Sequence, residues 1–362
     1  MKRILFLSDN LCSGGAQRQM TTVARLLKQC GHEVTVYCYD NDDFNAHYLQ
    51  ESDIPIIWEI EPKRYLRRIQ NVRRFVRKGK FDSVVSFLPT CNFLNDIAAI
   101  GGHKWKVITG ERSSRESTFT SLRGKFFVWF QRYSDYIVCN SQNACDLWQK
   151  YRPEYADKME VIYNCVQLGS VHSEYQPLKD GKLHIVVAAT YQYLKNPLGL
   201  VKALSLMTQE ARSHIVVDWF GRAEVTRGNT QAYDETVRAI HANDLADVFI
   251  LHSDTRDIAD VMHQADVVML LSQFEGLPNV ICEGMALGKP IIMTRVSDYA
   301  TLVDDSNGVL CDSGDYSSIR DAILKMSALN SDQLRVMGET SKTKARILFS
   351  EESVSKMWNE IV

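Results

Sequence analysis

The chain has 362 residues, which is longer than a single hydrophobic core usually grows, so we expect two domains. Hydrophobic residues make up 45% of the sequence and charged residues 24%, which is ordinary for a globular protein. The formal net charge of -2 gives no overall attraction to nucleic acid or to acidic substrates.

The cysteines and the N-terminus bear on localisation. The nine cysteines form no CxxC pair and have no regular spacing, so we interpret them as reduced thiols of a cytosolic protein. The first apolar run, ILFL, ends at Ser8 and Asp9 and is too short for a secretory signal. No run of about 18 apolar residues occurs, so we expect no membrane-spanning helix.

The first half of the chain alternates short apolar runs with helical patterns. Met20, Val23, Leu26 and Leu27 recur at intervals of three and four, which predicts a helix over 14–31. Six apolar runs predict strands, at 3–9, 32–39, 81–88, 106–110, 136–141 and 160–164. Strands that alternate with helices indicate a parallel sheet covered on both faces.

The pattern restarts after a polar stretch at 166–182, which we interpret as a linker. Helical patterns at 196–207 and 232–243 lie among six further strand candidates, at 183–189, 214–221, 248–252, 266–272, 289–294 and 308–312. The sequence therefore predicts an α/β protein of two doubly wound units, residues 1–168 and 169–344.

Ligands of doubly wound sheets bind beyond the carboxyl ends of the strands. After the first strand, Gly14 and Gly15 open a helix whose amides can meet an anion, although such glycines also suit an ordinary turn. The pattern is not GxGxxG, which argues against a nicotinamide oxidoreductase. Lys195 precedes the expected helix cap Asn196-Pro197 and is either a phosphate contact or a solvated loop residue.

The stretch SQFEGLPNVICEGMALGKPIIMT, residues 272–294, places Glu275 and Glu283 around a turn. A helix is expected to begin at Pro278-Asn279, and the amides at its N-terminus suit a diphosphate. Two carboxylates beside an anion site are unfavourable unless each accepts hydroxyl groups. A sugar nucleotide carries hydroxyls on both sides of its diphosphate, so one carboxylate for each sugar is our hypothesis. A loop with a solvated carboxylate is the alternative.

The sequence ADVVMLLSQFEGLPNVICEGMALGKPIIMT resembles the signature of the retaining GT-B glycosyltransferases of family 4, of the bacterial surface-polysaccharide type. SGGAQRQ, IVCNS, VIYNCV, YLKNPLGLVKAL and NGVLCD occur in the order that this family shows, so the resemblance covers most of the chain. It implies two Rossmann-like domains that face each other across a cleft. It also implies a C-terminal helix, 345–362, that packs back on the first domain.

The resemblance implies a role for each matching position. Lys195 and Glu275 are the expected catalytic residues, since they match the lysine that contacts the diphosphate and the glutamate that faces the donor sugar. Glu283 matches the carboxylate that holds the ribose hydroxyls. The other expected donor contacts lie in two glycine-containing loops: Gly14, Gly15, Gly276, Leu277, Asn279 and Val280. The nucleotide sugar is the substrate, with a UDP-sugar preferred, and no cofactor or metal is expected.

The sequence departs from the family pattern in two places. Thr190 stands where members often carry an arginine, and Arg222 is our candidate to supply that charge. Members also place a histidine after an N-terminal strand, whereas this segment reads VITGERSSRES, so we expect Glu111 or Arg112 on the acceptor side. His103 precedes the strand, and we interpret it as structural.

Two segments bear on the acceptor. The segment 63–80, KRYLRRIQNVRRFVRKGK, has nine basic residues and no acidic one, and its apolar residues have helical spacing. It either docks on an anionic membrane or packs as an ordinary helix with a solvated basic face. The aromatic helix 122–133 either packs in the core or lines a path for a lipid-linked acceptor. We interpret Asp40-Asn41-Asp42 as a solvated turn rather than a metal site.

The sequence thus predicts a cytoplasmic glycosyltransferase, peripheral on the inner face of the membrane if 63–80 docks there, with a glycan or lipid-diphosphate-linked glycan as acceptor. Surface polysaccharide assembly, such as that of lipopolysaccharide O-antigen, is the setting that the resemblance implies. No nucleic-acid partner is indicated. A nucleotide-sugar epimerase of GT-B architecture and a catalytically inactive sugar-nucleotide-binding subunit are the alternatives.

Overall fold

A computed structural model describes residues 1–12, 14–59, 64–112, 115–166, 177–178, 180–224 and 228–362. The chain divides into two compact units, one of Met1–Cys165 with Phe349–Val362 and one of Val166–Leu348. The first unit thus ends at 165, where the sequence suggested 168. Most of the expected linker, 166–182, lies outside the described residues.

The first unit contains a seven-stranded sheet in which every neighbouring pair is parallel. Its strands are β1 (Arg3–Ser8), β2 (Glu33–Cys38), β3 (Ile56–Trp58), β4 (Ser83–Ser86), β5 (Lys106–Glu111), β6 (Tyr136–Cys139) and β7 (Met159–Val161). The order is β3-β2-β1-β4-β5-β6-β7, so the direction of winding reverses between β1 and β4. Strand β3 was not predicted, because it is only three residues long and partly exposed.

Helices pack on the apolar faces of this sheet. They are α1 (Gly15–Gln29), α2 (Ala46–Gln50), α3 (Tyr65–Lys78), α4 (Pro89–Ala99), α5 (Ser117–Thr120), α6 (Leu122–Phe130) and α7 (Gln142–Tyr151), with 3₁₀ turns at Gln131–Tyr133 and Pro153–Lys158. The predicted amphipathic helix α1 buries Met20, Val23, Leu26 and Leu27, and their spacing accounts for its position.

The second unit contains a six-stranded parallel sheet in the order β10-β9-β8-β11-β12-β13. Its strands are β8 (Leu183–Ala188), β9 (Ile215–Phe220), β10 (Phe249–His252), β11 (Val267–Leu270), β12 (Ile291–Thr294) and β13 (Gly308–Cys311). Its helices are α8 (Pro197–Ser205), α9 (Gln209–Ser213), α10 (Gln231–Ala242), α11 (Ile258–Gln264), α12 (Asn279–Ala286), α13 (Tyr299–Leu302), α14 (Tyr316–Ser327) and α15 (Ser331–Phe349), with a 3₁₀ turn at Tyr193–Lys195.

The last helix, α16 (Glu351–Ile361), belongs to the first unit. Trp358 is buried there, with its ring centroid 5.6 Å from that of Phe87. Lys106 Nζ donates to the Ile361 carbonyl at 3.0 Å. The chain therefore returns to the first unit at Phe349, the last residue of α15, just before the break at Ser350, whereas the sequence suggested one helix from 345.

Both sheets are parallel and their strands alternate with helices along the chain, so the predicted fold of two Rossmann-like units is confirmed. Among the described residues, no helix combines the length and the apolar composition that crossing a bilayer requires.

Candidate functional site

The winding of the second sheet reverses between β8 and β11, and the loops that follow these two strands carry an ion pair. Lys195 Nζ lies 2.5 Å from Glu275 Oε1. The two side chains are 22% and 14% exposed, respectively. Water is therefore largely excluded from the contact. Removing either side chain would leave the charge of the other without a compensating partner. The structure thus brings together Lys195 and Glu275, the two residues that we predicted to be catalytic from the sequence.

Three further hydrogen bonds hold the Glu275 loop in place. Ser272 Oγ donates to Glu275 Oε1 at 2.6 Å, and Thr294 Oγ1 donates to the Ser272 carbonyl at 2.7 Å. The backbone amide of Gln273 donates to the Leu194 carbonyl at 2.8 Å, next to Lys195. The loop after β11 is thus tied to the loop after β8 and to the end of β12.

The helix that follows this loop, α12, begins at Asn279 after Pro278, close to its predicted start. Among the described residues, no side chain caps its N-terminus by a hydrogen bond, and the amides of Ile281 and Cys282 donate to the Pro278 carbonyl at 3.0 and 3.2 Å. The N-terminus carries a partial positive charge of roughly half a unit, which suits a phosphate group. The predicted contacts Gly276, Leu277 and Val280 lie in this loop and in the first turn of α12.

Helix α12 lies close to the sheet because of a glycine. A Cβ on Gly284 would come within 2.8 Å of the Val268 side chain on β11. Glu283 precedes this glycine and is partly exposed, while Ile281 and Cys282 are fully buried. The burial of its neighbours therefore leaves Glu283 toward the surface of α12, as a contact with a ligand requires.

Gly14 and Gly15 lie at the start of α1, in the first unit. A Cβ on Gly14 would clash with Gln17 Oε1 at 2.4 Å, so the space beside Gly14 is filled by this buried side chain. A Cβ on Gly15 would meet no atom within 4 Å. Of the two glycines, only Gly15 leaves open space beside its Cα.

Thr190 and Arg222 come together through the backbone. The Tyr191 amide donates to the Arg222 carbonyl at 3.0 Å, and a Cβ on Gly221 would lie 3.1 Å from Thr190 Cα. The Arg222 side chain is exposed, and its Nε donates to Asp254 Oδ2 at 2.8 Å. This hydrogen bond raises the pKa of Arg222 above its ordinary value, and the guanidinium is paired with the Asp254 carboxylate.

A pocket of about 540 Å³ adjoins Arg222 at the carboxyl ends of β9 and β10, and Tyr191, Gly221, Arg222, Tyr233, His252 and Asp254 are among its lining residues. The Tyr191 hydroxyl is buried, donates to the Trp219 carbonyl near the end of β9 at 2.7 Å and accepts the His252 amide at the end of β10 at 3.1 Å. Lys195 lies four residues further on, so the pocket and the ion pair occupy the same edge of the sheet.

Glu111 is the last residue of β5 in the first unit and Arg112 follows it, but the two have different surroundings. Glu111 Oε1 accepts hydrogen bonds from Gln131 Nε2 at 2.8 Å and Asn92 Nδ2 at 3.2 Å. Burial raises the pKa of Glu111 to about 7. The Arg112 guanidinium lies 3.8 Å from the centre of the Phe87 ring, and burial lowers its pKa to about 10.

Two other predictions from the sequence concern the turn at Asp40-Asn41-Asp42 and the structural role of His103. Asp40 and Asp42 are exposed, and their carboxylates accept hydrogen bonds from the backbone amides of Asn41 and Phe44 in the same turn. His103 Nε2 lies 3.2 Å from Asp135 Oδ2, and this carboxylate also accepts the Val107 amide. His103 thus helps to fix the start of β5.

The predicted start of a helix at Asn196-Pro197 is confirmed, but the Asn196 side chain does not cap the helix by a hydrogen bond. Asn196 does precede α8, but it adopts a left-handed conformation with φ of 66° and its side chain makes no capping hydrogen bond. Its Nδ2 donates instead to the Ser313 carbonyl at 2.9 Å. Asn196 therefore ties the Lys195 turn to the segment after β13.

Sequence reasoning missed the serines that hold the Glu275 loop. Ser297 Oγ donates to the Gly276 carbonyl, and Ser297 itself has a positive φ of 54°. Neither Ser272 nor Ser297 belongs to a periodic pattern. Only the position of Ser272 directly after a strand could have marked it as a candidate.

The fold, together with the ion pair and the pocket at the carboxyl ends of the strands in the second unit, defines a class of protein, the GT-B glycosyltransferases. The chain matches the family models described as Glycosyltransferase Family 4, over residues 13–169, and Glycosyl transferases group 1, over residues 182–328. It therefore belongs to the family 4 glycosyltransferases of group 1.

Relatives and solved structures agree with this assignment. The chain is 22% identical over 296 residues to the GalNAc-alpha-(1->4)-GalNAc-alpha-(1->3)-diNAcBac-PP-undecaprenol alpha-1,4-N-acetyl-D-galactosaminyltransferase of Campylobacter jejuni, a match that covers 79% of this chain and 77% of that protein. It is 28% identical over 176 residues to the D-inositol 3-phosphate glycosyltransferase of Xylanimonas cellulosilytica, with 48% of this chain and 40% of that protein covered.

The match to the Xylanimonas protein, like the match to an uncharacterized glycosyltransferase of Methanocaldococcus jannaschii, spans about two fifths of the relative's length. The crystal structure of Anabaena Alr3699/HepE in complex with UDP superposes with a TM-score of 0.85 and 18% identity, and the alignment covers 99% of both chains. This likeness shows the fold.

Proposed function

We propose that the protein transfers a sugar from a UDP-sugar to a hydroxyl group of a lipid-diphosphate-linked glycan, with retention at the anomeric carbon and without a metal ion. The observation that carries the proposal is the Lys195–Glu275 ion pair beside the N-terminus of α12. A cation and a helix N-terminus suit a diphosphate, and a carboxylate suits the hydroxyls of a sugar.

The ion pair leaves each partner able to bind the donor. An ammonium group has three donors, so Lys195 can hold Glu275 and still contact phosphate oxygens. Both hydrogen bonds to Glu275 that the structure describes go to Oε1. In our proposal, Oε2 accepts a hydroxyl of the donor sugar. On α12, Glu283 would accept the ribose hydroxyls.

In the proposed reaction, the acceptor oxygen attacks the anomeric carbon on the face from which UDP departs. The bond from the anomeric carbon to the phosphate oxygen breaks, and the departing phosphate takes the acceptor proton. Lys195 and the amides at the start of α12 stabilise the charge that develops on the diphosphate. Each well-placed donor of this kind contributes about 3 kcal/mol to lowering the barrier.

The relatives support the choice of donor and acceptor. The Anabaena protein was crystallised with UDP, and the Campylobacter jejuni relative acts on a PP-undecaprenol-linked acceptor, as its name states. A lipid-linked acceptor of surface polysaccharide, such as lipopolysaccharide O-antigen, would place the reaction at the inner face of the cell membrane. For the membrane-facing surface we propose the exposed side of α3 and α6.

The surfaces of α3 and α6 support this placement. Leu66 on α3 is 80% exposed and Leu122 on α6 is 88% exposed. Arg73 and Arg77 of α3 donate to backbone carbonyls after α4 and thereby fix the helix to the unit. The other described basic residues of α3 and its flanks are exposed, apart from Arg68, which is partly exposed: Arg64, Arg67, Arg68, Arg74, Lys78 and Lys80.

A panel of nucleotide sugars tests the proposal, scored by thermal stabilisation and by release of the nucleotide. We expect a UDP-sugar to stabilise the protein and to be hydrolysed slowly without acceptor. Glu283→Ala should weaken donor binding, whereas Glu275→Ala should mainly slow transfer. Unchanged behaviour of both variants would overturn the assignment.

The same panel separates the alternatives. Conversion of the donor to an isomer without nucleotide release would identify a nucleotide-sugar epimerase. Donor binding without nucleotide release, with or without glycan acceptors, would identify a catalytically inactive subunit.

A further inference from the structure

The turn that carries Lys195 ends in an uncommon backbone conformation. Tyr193–Lys195 form a 3₁₀ turn, and Asn196 then adopts the left-handed conformation, with φ of 66° and ψ of 40°. Residues other than glycine seldom adopt this conformation, although asparagine tolerates it better than most. Helix α8 begins directly afterwards, at Pro197. The direction in which the Lys195 side chain leaves the backbone is therefore set next to an abrupt change of chain direction at Asn196.

The Asn196 side chain holds this conformation from a buried position. Asn196 is 6% exposed, and its Nδ2 donates to the Ser313 carbonyl at 2.9 Å. Ser313 lies in the turn between β13 and α14, where the Asp315 side chain caps the N-terminus of α14. The amide of Asn196 thus anchors the Lys195 turn to a segment whose own position is fixed by a helix cap.

The first turn of α8 leaves room for this amide. Gly199 is buried in α8, and a Cβ at this position would overlap the terminal atoms of the Asn196 side chain. Glycine is unfavourable inside a helix, because it loses more conformational freedom on folding than any other residue. The space that the Asn196 amide occupies gives a physical reason for a glycine at position 199.

Two other contacts act on the same turn. The Gln273 amide donates to the Leu194 carbonyl at 2.8 Å, and Lys195 Nζ donates to Glu275 Oε1 at 2.5 Å. Both of these contacts come from the loop after β11, whereas the contact of Asn196 comes from the segment after β13. The backbone on the C-terminal side of the lysine is thus fixed by a contact that does not involve the Glu275 loop.

The position of this backbone matters because of the lysine itself. The lysine side chain is long and flexible, so the place of its ammonium group depends on where the side chain starts. A shift of about 1 Å in a group that takes part in a reaction can cost on the order of 100-fold in rate. The residue that fixes the Lys195 backbone therefore bears on the charge that the lysine stabilises.

We propose that Asn196 is a positioning residue for Lys195. Its left-handed backbone and its hydrogen bond to the Ser313 carbonyl place the lysine ammonium group for the departing diphosphate. The inference rests on the proposed function, because this leaving group is that of the proposed reaction. Asn196 acts through Lys195, so its effect grows with the negative charge on the diphosphate, which is larger in UDP than in the intact donor.

The test is a double-mutant cycle between residues 195 and 196 in the full-length protein, measured by calorimetric titration with UDP and with UMP. UMP lacks the terminal phosphate group of UDP. We expect Asn196→Gly, which keeps the left-handed backbone accessible but removes the amide, to weaken UDP binding about tenfold and to leave UMP binding unchanged. In the Lys195→Met background the same substitution should change UDP binding by less than about twofold, because the residue that it positions is then absent.

Further variants separate the backbone from the side chain. Asn196→Ala removes the amide and also disfavours the left-handed backbone, so it should weaken UDP binding more than Asn196→Gly does. Gly199→Ala should act like Asn196→Gly, since the added methyl group displaces the amide. Asn243→Gly is the matched control, because Asn243 is exposed at the end of α10 and its Nδ2 also donates to a backbone carbonyl, that of Ala239, at 2.8 Å. It should bind UDP and UMP as the wild type does.

The outcomes separate this inference from the proposed function. Wild-type affinity of Asn196→Gly for UDP would overturn the inference. Equal losses for UDP and UMP, or equal losses in the wild-type and Lys195→Met backgrounds, would do the same, because Asn196 would then act on the fold and not through Lys195. Failure of the wild type to bind UDP, or unchanged UDP binding in Lys195→Met, would instead count against the proposed donor site itself.

Discussion

Lys195 and Glu275 lie 80 positions apart in the sequence, yet Lys195 Nζ is 2.5 Å from Glu275 Oε1. The contact exists because β8 and β11 are neighbours in the sheet, and the loops after both strands therefore end at the same edge. The pair holds the lysine cation against the loop that leads into α12, four residues before that helix begins at Asn279. Part of the charge arrangement that the reaction needs is thus built into the fold.

We predict that Lys195→Met lowers kcat by about two orders of magnitude, because one strong donor to the leaving diphosphate contributes about 3 kcal/mol. The measurement is release of UDP at saturating donor and acceptor. Lys202→Met is the matched control, since Lys202 is exposed on α8 and contacts Tyr316. A kcat for Lys195→Met equal to that of the control would remove Lys195 from the mechanism.

We predict that transfer does not depend on a divalent metal ion, because the lysine and the helix N-terminus supply the positive charge at the leaving group. The rate of transfer should be the same in excess EDTA as in excess Mg²⁺ or Mn²⁺. A rate that falls by tenfold or more with EDTA and returns when a metal ion is added would contradict the mechanism.

Much of the fold follows from the sequence, because each buried parallel strand is a short apolar run whose length and position can be recognised. The edge strand β3 escaped recognition, since three partly exposed residues, Ile56–Trp58, carry little hydrophobic signal. The return of the chain to the first unit was expected only from the family resemblance. It starts at Phe349, the last residue of α15, and the helix break that follows at Ser350 is marked by no proline or glycine.

The candidate site was predictable to a smaller extent. The charged residues Lys195 and Glu275 stood out because each follows a strand, but their hydrogen bond depends on the order of strands in the sheet. The serines that support them gave no signal, because a tertiary hydrogen bond such as that of Ser297 to Gly276 has no local pattern. For Asn196, a local capping rule was overridden by the tertiary contact with Ser313.

We predict that the protein binds vesicles that contain anionic lipid through α3 and α6. Each basic residue near such a surface contributes about 1 kcal/mol, so replacing three arginines by glutamine should lower the partition coefficient by at least tenfold. The residues to change are Arg64, directly before α3, and Arg67 and Arg74 within α3. All three are exposed. Co-sedimentation with phosphatidylcholine vesicles, with and without phosphatidylglycerol, measures the effect.

Charge and apolar contacts can be separated in the same assay. Binding should weaken as salt is raised, because salt screens exposed charges. Leu66→Ser/Leu122→Ser should lower binding at high salt as well. The matched control replaces three exposed arginines of the second unit, Arg238, Arg256 and Arg335, by glutamine. An equal loss of binding in this control would show that total charge, rather than the surface of α3 and α6, determines the interaction.

Glu111 predicts a specific dependence of stability on pH. Its pKa is raised by burial from the ordinary value of 4.5 to about 7 in the folded protein. Between these two values the folded state binds more protons than the unfolded state, so the contribution of Glu111 to stability falls as pH rises from about 4.5 to about 7. Above that range the contribution is constant, because the carboxyl group is then ionised in both states.

Glu111→Gln removes this titration while the amide oxygen can still accept from Gln131 and Asn92. We therefore expect the variant to gain about 1–3 kcal/mol relative to the wild type at pH 8, and to differ little from it near pH 4.5. Urea unfolding at a series of pH values measures the difference, with Glu160→Gln as a control at an exposed glutamate of β7 in the same unit. A difference between the Glu111→Gln and wild-type free energies of unfolding that stays constant from pH 4.5 to pH 8 would show that the folded pKa of Glu111 is ordinary.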